Sequence, residues 1–172
     1  MPERKVTTMN PVNTERLAWE QDLESRLPLF GHRNWIVVAD AAYPAQSRPG
    51  IETIVAGGDH VEAVRLVLDQ IAMSPHVRAN VYVDRELDYV AESDAPGIGN
   101  CRQQLLALLE GAEVRQIPHE EIIARLDACA QMFCVLLIKT DLTLPYTSVF
   151  FELDCGYWSA EAEARLRSAM AR

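Results

Sequence analysis

Apolar positions along the chain follow two alternating rhythms. Short, largely apolar runs occur at Trp35 to Ala39, Ala79 to Val83, Val114 to Ile117, Phe133 to Ile138 and Ser148 to Leu153. Such runs suit strands buried on both faces of a sheet. Between them, apolar residues recur at three- and four-residue intervals, the rhythm of helices laid on a sheet. Asp59 is placed to cap a helix from His60 to about Met73, in which Val61, Val64, Leu68 and Ile71 share one face. Pro96, Gly97 and Gly99 punctuate the chain before a leucine-rich helix that ends near Gly111. Pro118 suits the first turn of a helix running through Ile122, Ile123 and Leu126. A first helix is expected from about Thr14 to Leu27, capped by Asn13 or Thr14, and a terminal one from Ser159 to Arg172. Strands alternating with helices predict a single-domain, layered α/β/α sandwich with a mostly parallel sheet.

Composition narrows the function classes. With 172 residues, 49% of them hydrophobic and 24% charged, the chain has globular rather than disordered composition and the length of one domain. Its net charge of −9 and pI near 4.9 disfavour nucleic acid or an anionic membrane as main partner, since both demand a positive footprint. A local basic pocket stays compatible with that balance. No apolar segment follows Arg4 and Lys5, and the run Phe133 to Ile138 is too short to span a bilayer, so a cytoplasmic location is expected. Cys101, Cys129, Cys134 and Cys155 contain no Cys-x-x-Cys pair and are expected to be free thiols.

Candidate chemistry gathers in three short stretches and one lone histidine. Gly31-His32-Arg33-Asn34 stands directly before the first apolar run, and Asp40-Ala41-Ala42-Tyr43-Pro44-Ala45 directly after it. Pro145-Tyr146-Thr147-Ser148 leads into the last run, and His119 follows the third. In open α/β sheets ligands sit beyond the carboxyl ends of strands, which is where Asp40 falls, although a strand-end Asp serves equally often as a cap. An extended strand of five or six residues would hold His32 and Asp40 about 17–20 Å apart. One chain brings them together only by folding back a loop, otherwise by meeting across a subunit boundary. Taken singly, His32 reads as a turn residue, His119 as a polar first-turn residue and Tyr146 as a packed aromatic. His60 and His76 read as structural or exposed. A metal site built from His32, Asp40 and His119 lacks the tight His-x-x-x-His spacing usual for such sites.

Together and in this order, the stretches resemble the D-ribose pyranase / L-fucose mutarotase family, over roughly Leu17 to Tyr157. The family carries a Gly-His turn, an apolar strand running into Asp-Ala-x-[Phe/Tyr/Leu]-Pro, and a late Pro-Tyr-x-Asn. Here these read Gly31-His32, Trp35 through Asp40-Ala41-Ala42-Tyr43-Pro44-Ala45, and Pro145-Tyr146-Thr147-Ser148. The Tyr-Pro-Ala ending is similar to the fucose branch and His119 to the ribose branch. What the resemblance implies is interconversion of the anomers or ring forms of a free monosaccharide such as fucose or ribose by acid/base ring opening, without metal or cofactor. It implies His32 as the proton-donating residue, with Asp40, His119, Tyr146 and Ser148 as sugar contacts. It also implies a homo-oligomeric ring, pentamer or decamer, with pockets shared between subunits. The expected division is a flexible segment over 1–12, the sugar-handling domain over 13–157 and a helical extension over 158–172. Ser148 departs from the family's Asn, offering one hydroxyl in place of a longer donor–acceptor amide. Asn34 stands where Asp is frequent. The alternative is a non-catalytic sugar-binding or regulatory protein on the same scaffold.

Overall fold

A computed structural model describes residues 11–171 of the chain. Helix α1 (Pro11–Arg26) leads through a short 3-10 turn to strand β1 (Trp35–Ala39) and on to β2 (Ile51–Val55). Then follow α2 (His60–Ala72), β3 (Val77–Asp84), α3 (Ile98–Leu108), β4 (Val114–Ile117) and α4 (His119–Cys129). Strands β5 (Val135–Lys139) and β6 (Val149–Cys155) and helix α5 (Ala160–Met170) complete the chain. The strands form one six-stranded sheet in the order β2-β5-β1-β6-β3-β4. Neighbours are parallel except around β6, which runs antiparallel to both β1 and β3. This is the mostly parallel α/β sandwich that the alternation of strands and helices predicts.

β1 shows why its sequence takes this place. All five of its residues are buried, and they alternate between the two faces. Ile36 and Val38 join α1, α2 and α3 through Trp19, Leu23, Val64, Val67 and Leu105. Trp35, Val37 and Ala39 pack on the other side with Ile122 and Leu126 of α4. A run apolar at every position is what a strand covered on both faces needs.

Two expectations require correction. β2 has no counterpart among the predicted strands, because only Ile51 and Ile54 of its five residues turn partly inward while Glu52 and Thr53 face solvent. It is an edge strand paired with β5 alone, so nothing imposed an apolar run on it. Helix α1 begins at Pro11, so Asn13 and Thr14 lie within it rather than at its cap; proline is at home in a helix's first turn. Residues 1–10, most of the segment expected to be loose, lie outside the described residues. The other strands agree with the predicted runs to within two residues at each end. Asp59 caps α2 as expected, its Oδ1 accepting the Glu62 N–H at 2.8 Å. The four cysteines are free. Among the described residues no helix is long and apolar enough to cross a membrane.

The reversed β6 sorts the loops onto two rims. Because β6 starts where the parallel strands end, Tyr146, Thr147 and Ser148 share a rim with Asp40, Asp84, His119 and Thr140. The opposite rim carries the Gly31–Asn34 turn beside the end of β6, joined by the Arg33 N–H to the Leu153 carbonyl at 2.9 Å.

Candidate functional site

On the carboxyl rim lies a cleft of about 340 Å³ lined by Asp40, Tyr43, Gln46, His119, Ile123 and Tyr146, among others. Asp40 leaves the end of β1, and its Oδ1 accepts the Ala42 N–H at 2.8 Å, which fixes the turn that follows. That turn folds Tyr43 back into the core beneath the cleft, where Lys139 Nζ donates to the Tyr43 carbonyl at 2.6 Å. Burial first, then the nearby carboxylates of Asp84, Asp127 and Asp40, push the Tyr43 phenol far above its ordinary range. Tyr43 is therefore held as a neutral phenol. Tyr146 adopts the left-handed backbone, φ 58°, and meets the His119 ring edge-on with centroids 5.7 Å apart. A non-glycine residue held there costs about 1–2 kcal/mol and needs surroundings that enforce it.

His60 supplies part of that enforcement. It is buried, with Nδ1 2.8 Å from Thr140 Oγ1 and Nε2 2.8 Å from the Thr147 carbonyl. One imidazole thereby ties the start of α2 to the end of β5 and to the turn that carries Tyr146. Burial lowers its pKa, which keeps the ring neutral with one nitrogen donating and one accepting. The expected structural role of His60 is what the molecule shows.

His119 opens α4, and its backbone N–H is received by both Glu86 carboxylate oxygens at 3.0 and 3.1 Å. Its Nδ1 lies 3.0 Å from Oδ1 of Asp84, the last residue of β3. Nε2 has no hydrogen-bond partner within the described residues. Asp84 is fully buried, and its Oδ2 has no hydrogen-bond partner among the described residues. Burial pushes its carboxyl up to about 6, the His119 contact opposes the rise, and the charges of Glu86 and Asp40 add to it.

His32 stands on the opposite rim, more than half exposed, with Nδ1 3.0 Å from Asp154 Oδ1. Arg78 Nη2 donates to the other Asp154 oxygen at 2.7 Å and leads in holding that carboxyl below its usual value. Arg33 Nε donates to His32 Nε2 at 3.1 Å, so both imidazole nitrogens are engaged. Arg33 has φ 78° and its guanidinium lies over the Phe133 ring at 5.6 Å. The cleft beside His32, about 650 Å³, is closed on one side by Trp158, Glu163 and Arg167.

Of the residues singled out from sequence, the fold brings Asp40, His119 and Tyr146 into one cleft. Ser148 is buried at the start of β6 and outside the cleft lining. His32 is separated from Asp40 by the whole five-residue length of β1, roughly 16 Å of strand. Sequence reading passed over Asp84 and Glu86, and quoted Tyr43 within the Asp40–Ala45 stretch without giving it a role in the site. Asp84 did carry a signal, because it ends an apolar run as Asp40 does. Glu86 carried none, since its partnership with His119 is made only by the pairing of β3 with β4. Among the described residues no three His, Cys, Asp or Glu side chains are placed to hold a metal ion.

Residues 18–155 match the model of the RbsD / FucU transport protein family. No curated protein matches the chain. Among solved structures, RbsD from Bacillus subtilis complexed with D-ribose has the same fold, at 19% identity and a TM-score of 0.55, covering 88% of this chain and 98% of its own. The fucose mutarotase from Streptococcus pneumoniae in complex with L-fucose is 20% identical, with a TM-score of 0.49, 77% of this chain covered and 91% of its own. FucU from Bifidobacterium longum is 12% identical, with a TM-score of 0.48, 78% of this chain covered and 94% of its own. The match spans the Gly-His turn, the strand ending in Asp40, His119 and the Tyr146 turn, and the chain belongs to the RbsD / FucU family.

Proposed function

We propose that this protein catalyses the interconversion of cyclic forms of a free monosaccharide, as a mutarotase or pyranase. The observation that carries the reading is the convergence of Asp40, His119 and Tyr146 from three distant parts of the chain on one cleft. A carboxylate, an imidazole and a phenol offer the mixture of acceptors and donors that sugar hydroxyls require. A relative that binds D-ribose makes that sugar the first to try, and L-fucose the second.

Ring opening needs two proton transfers. A base takes the anomeric hydroxyl proton as the bond between C1 and the ring oxygen breaks, and an acid protonates that oxygen, leaving the open aldehyde. Reclosure reverses both. Imidazole suits such transfers near neutrality, and each typically contributes about 10²–10⁴-fold in rate. We assign the acid to His32, and sugar contacts to Asp40, His119, Tyr146 and Ser148. The reading asks for no metal and no cofactor. Since His32 faces the other rim of its own chain, the His32 that serves a cleft comes from a neighbouring copy in a closed homo-oligomeric ring. Arg33 must then release His32 Nε2 before that nitrogen can act. Residues 13–157 form the sugar-handling domain in this scheme, and 158–172 an extension on the His32 side.

The blocked Nε2 favours one second reading, a sugar-binding protein without turnover. NMR magnetisation exchange between anomers and ring forms decides between them, using a panel of aldoses with wild-type protein and His32→Ala. Accelerated exchange lost in the variant supports the enzyme. Saturation transfer to one sugar with no acceleration supports the binder.

A further inference from the structure

Resting on the ring-opening reading, we infer that Asp84 is a positioning residue that makes His119 the base of the reaction. An ionised carboxylate only accepts hydrogen bonds, so the His119 nitrogen facing Asp84 Oδ1 at 3.0 Å carries the proton, and the lone pair lies on Nε2. Nε2 is the nitrogen with no partner among the described residues, on a ring that lines the cleft. The ring is held from three directions, by Asp84 on Nδ1, by Glu86 on its own backbone N–H and by the edge contact with Tyr146.

The burial of Asp84 points the same way. Four groups face it: His119 from α4, Glu86 from the turn after β3, Asp40 from the end of β1 and Tyr43 from the loop after β1. Of these only His119 can become a cation. A buried carboxylate with one oxygen unsatisfied is a poor stabilising device, and an apolar side chain of similar volume would serve the core better. Its interaction strengthens at the moment His119 gains a proton, which is the transition state.

The step balances. The anomeric O–H proton moves to His119 Nε2, and the electron pair it leaves forms the C1 carbonyl. The pair of the breaking C1–oxygen bond goes to the ring oxygen, which takes the proton of protonated His32. His119 then stands as imidazolium against ionised Asp84, and His32 is neutral. Ring closure returns both protons.

The test uses the full-length protein with Asp84→Asn and Asp84→Glu. Exchange kinetics on the sugar that wild type accelerates should show Asp84→Asn losing roughly 10²–10⁴-fold in kcat, with KM changed no more than about threefold. Asp84→Glu should recover part of the loss. Nitrogen-15 spectra of the wild-type imidazoles at pH 8 should show His119 protonated on Nδ1. Wild-type-like kcat in Asp84→Asn, or a wild-type His119 protonated on Nε2, overturns the assignment and leaves the mutarotase reading standing. A wild-type protein that accelerates no aldose overturns that reading and the base role with it.

Discussion

At the scale of single residues, the site is marked by groups held in states that a stable core would avoid. Asp84 titrates near 6 because it is buried, whereas an unfolded carboxyl of this kind titrates near 3.9. The folded state therefore binds this proton more tightly than the unfolded one. Its contribution to stability is present below about pH 4 and is lost as pH rises through about 6, beyond which the ionised group costs at most about 3 kcal/mol. Asp84→Asn should consequently melt at or above the wild-type temperature at pH 8, with the advantage roughly halved at pH 5 and gone below about pH 4. A thermal melt at both values checks this, and an equal loss at both would mean that the His119 pair outweighs burial. Arg33 is the second strained residue, at φ 78°. Arg33→Gly relieves left-handed strain of about 1–2 kcal/mol while adding roughly 0.5–1 kcal/mol of backbone entropy cost, so a gain of up to about 1 kcal/mol is expected in urea unfolding. The same change frees His32 Nε2, and the exchange rate should not fall.

Elements differ sharply in what they contribute. α4 buries Ile122 and Leu126 against the sheet, so Leu126→Ala should cost about 2–5 kcal/mol by the usual transfer and cavity terms. α5 buries none of its residues, and the side-chain hydrogen bonds that organise it are local. Ser159 Oγ accepts the Ala162 N–H at 3.1 Å, Trp158 Nε1 donates to Glu163, and Arg167 pairs with Glu163. Truncation after Tyr157 should then lower stability by no more than about 1 kcal/mol, the worth of a helix cap and exposed pairs. It removes the wall beside His32, so a change in sugar preference with the melting temperature lowered by no more than about 4 °C is the expected outcome. A large loss of stability would show that α5 is buried against another copy.

For the whole molecule, the reversed β6 has the largest consequence. It brings the Tyr146 turn to the rim of Asp40 and His119, and takes the end of β6, with Asp154, to the rim of His32. A pocket completed by a neighbour makes two predictions. Light scattering should give a mass well above 19.3 kDa. His32→Ala and His119→Ala, each inactive, should regain about a quarter of wild-type activity in randomly mixed rings, because one site in four combines an intact copy of each histidine across an interface. Mixed rings with no recovery would place both histidines in service of the same subunit's pocket.

Much of this was legible in the sequence because it depends on local pattern. Burial on two faces demands an apolar residue at nearly every strand position, so β1 and β5 announced themselves, and the Asp59 cap followed from backbone donors that any helix start leaves unpaired. The Gly-His turn and the Asp40 and Tyr146 stretches could likewise be read as segments. What local pattern cannot encode is which segments meet. β2 pairs on one side only, so no apolar run was required of it. The direction of β6 is a fact of connection, and with it the division of His32 from Asp40, His119 and Tyr146. Asp84 looked like any strand-end carboxylate until the pairing of β3 with β4 set it beneath His119. Only the packed sheet turned a carboxylate and an imidazole, 35 positions apart, into a pair.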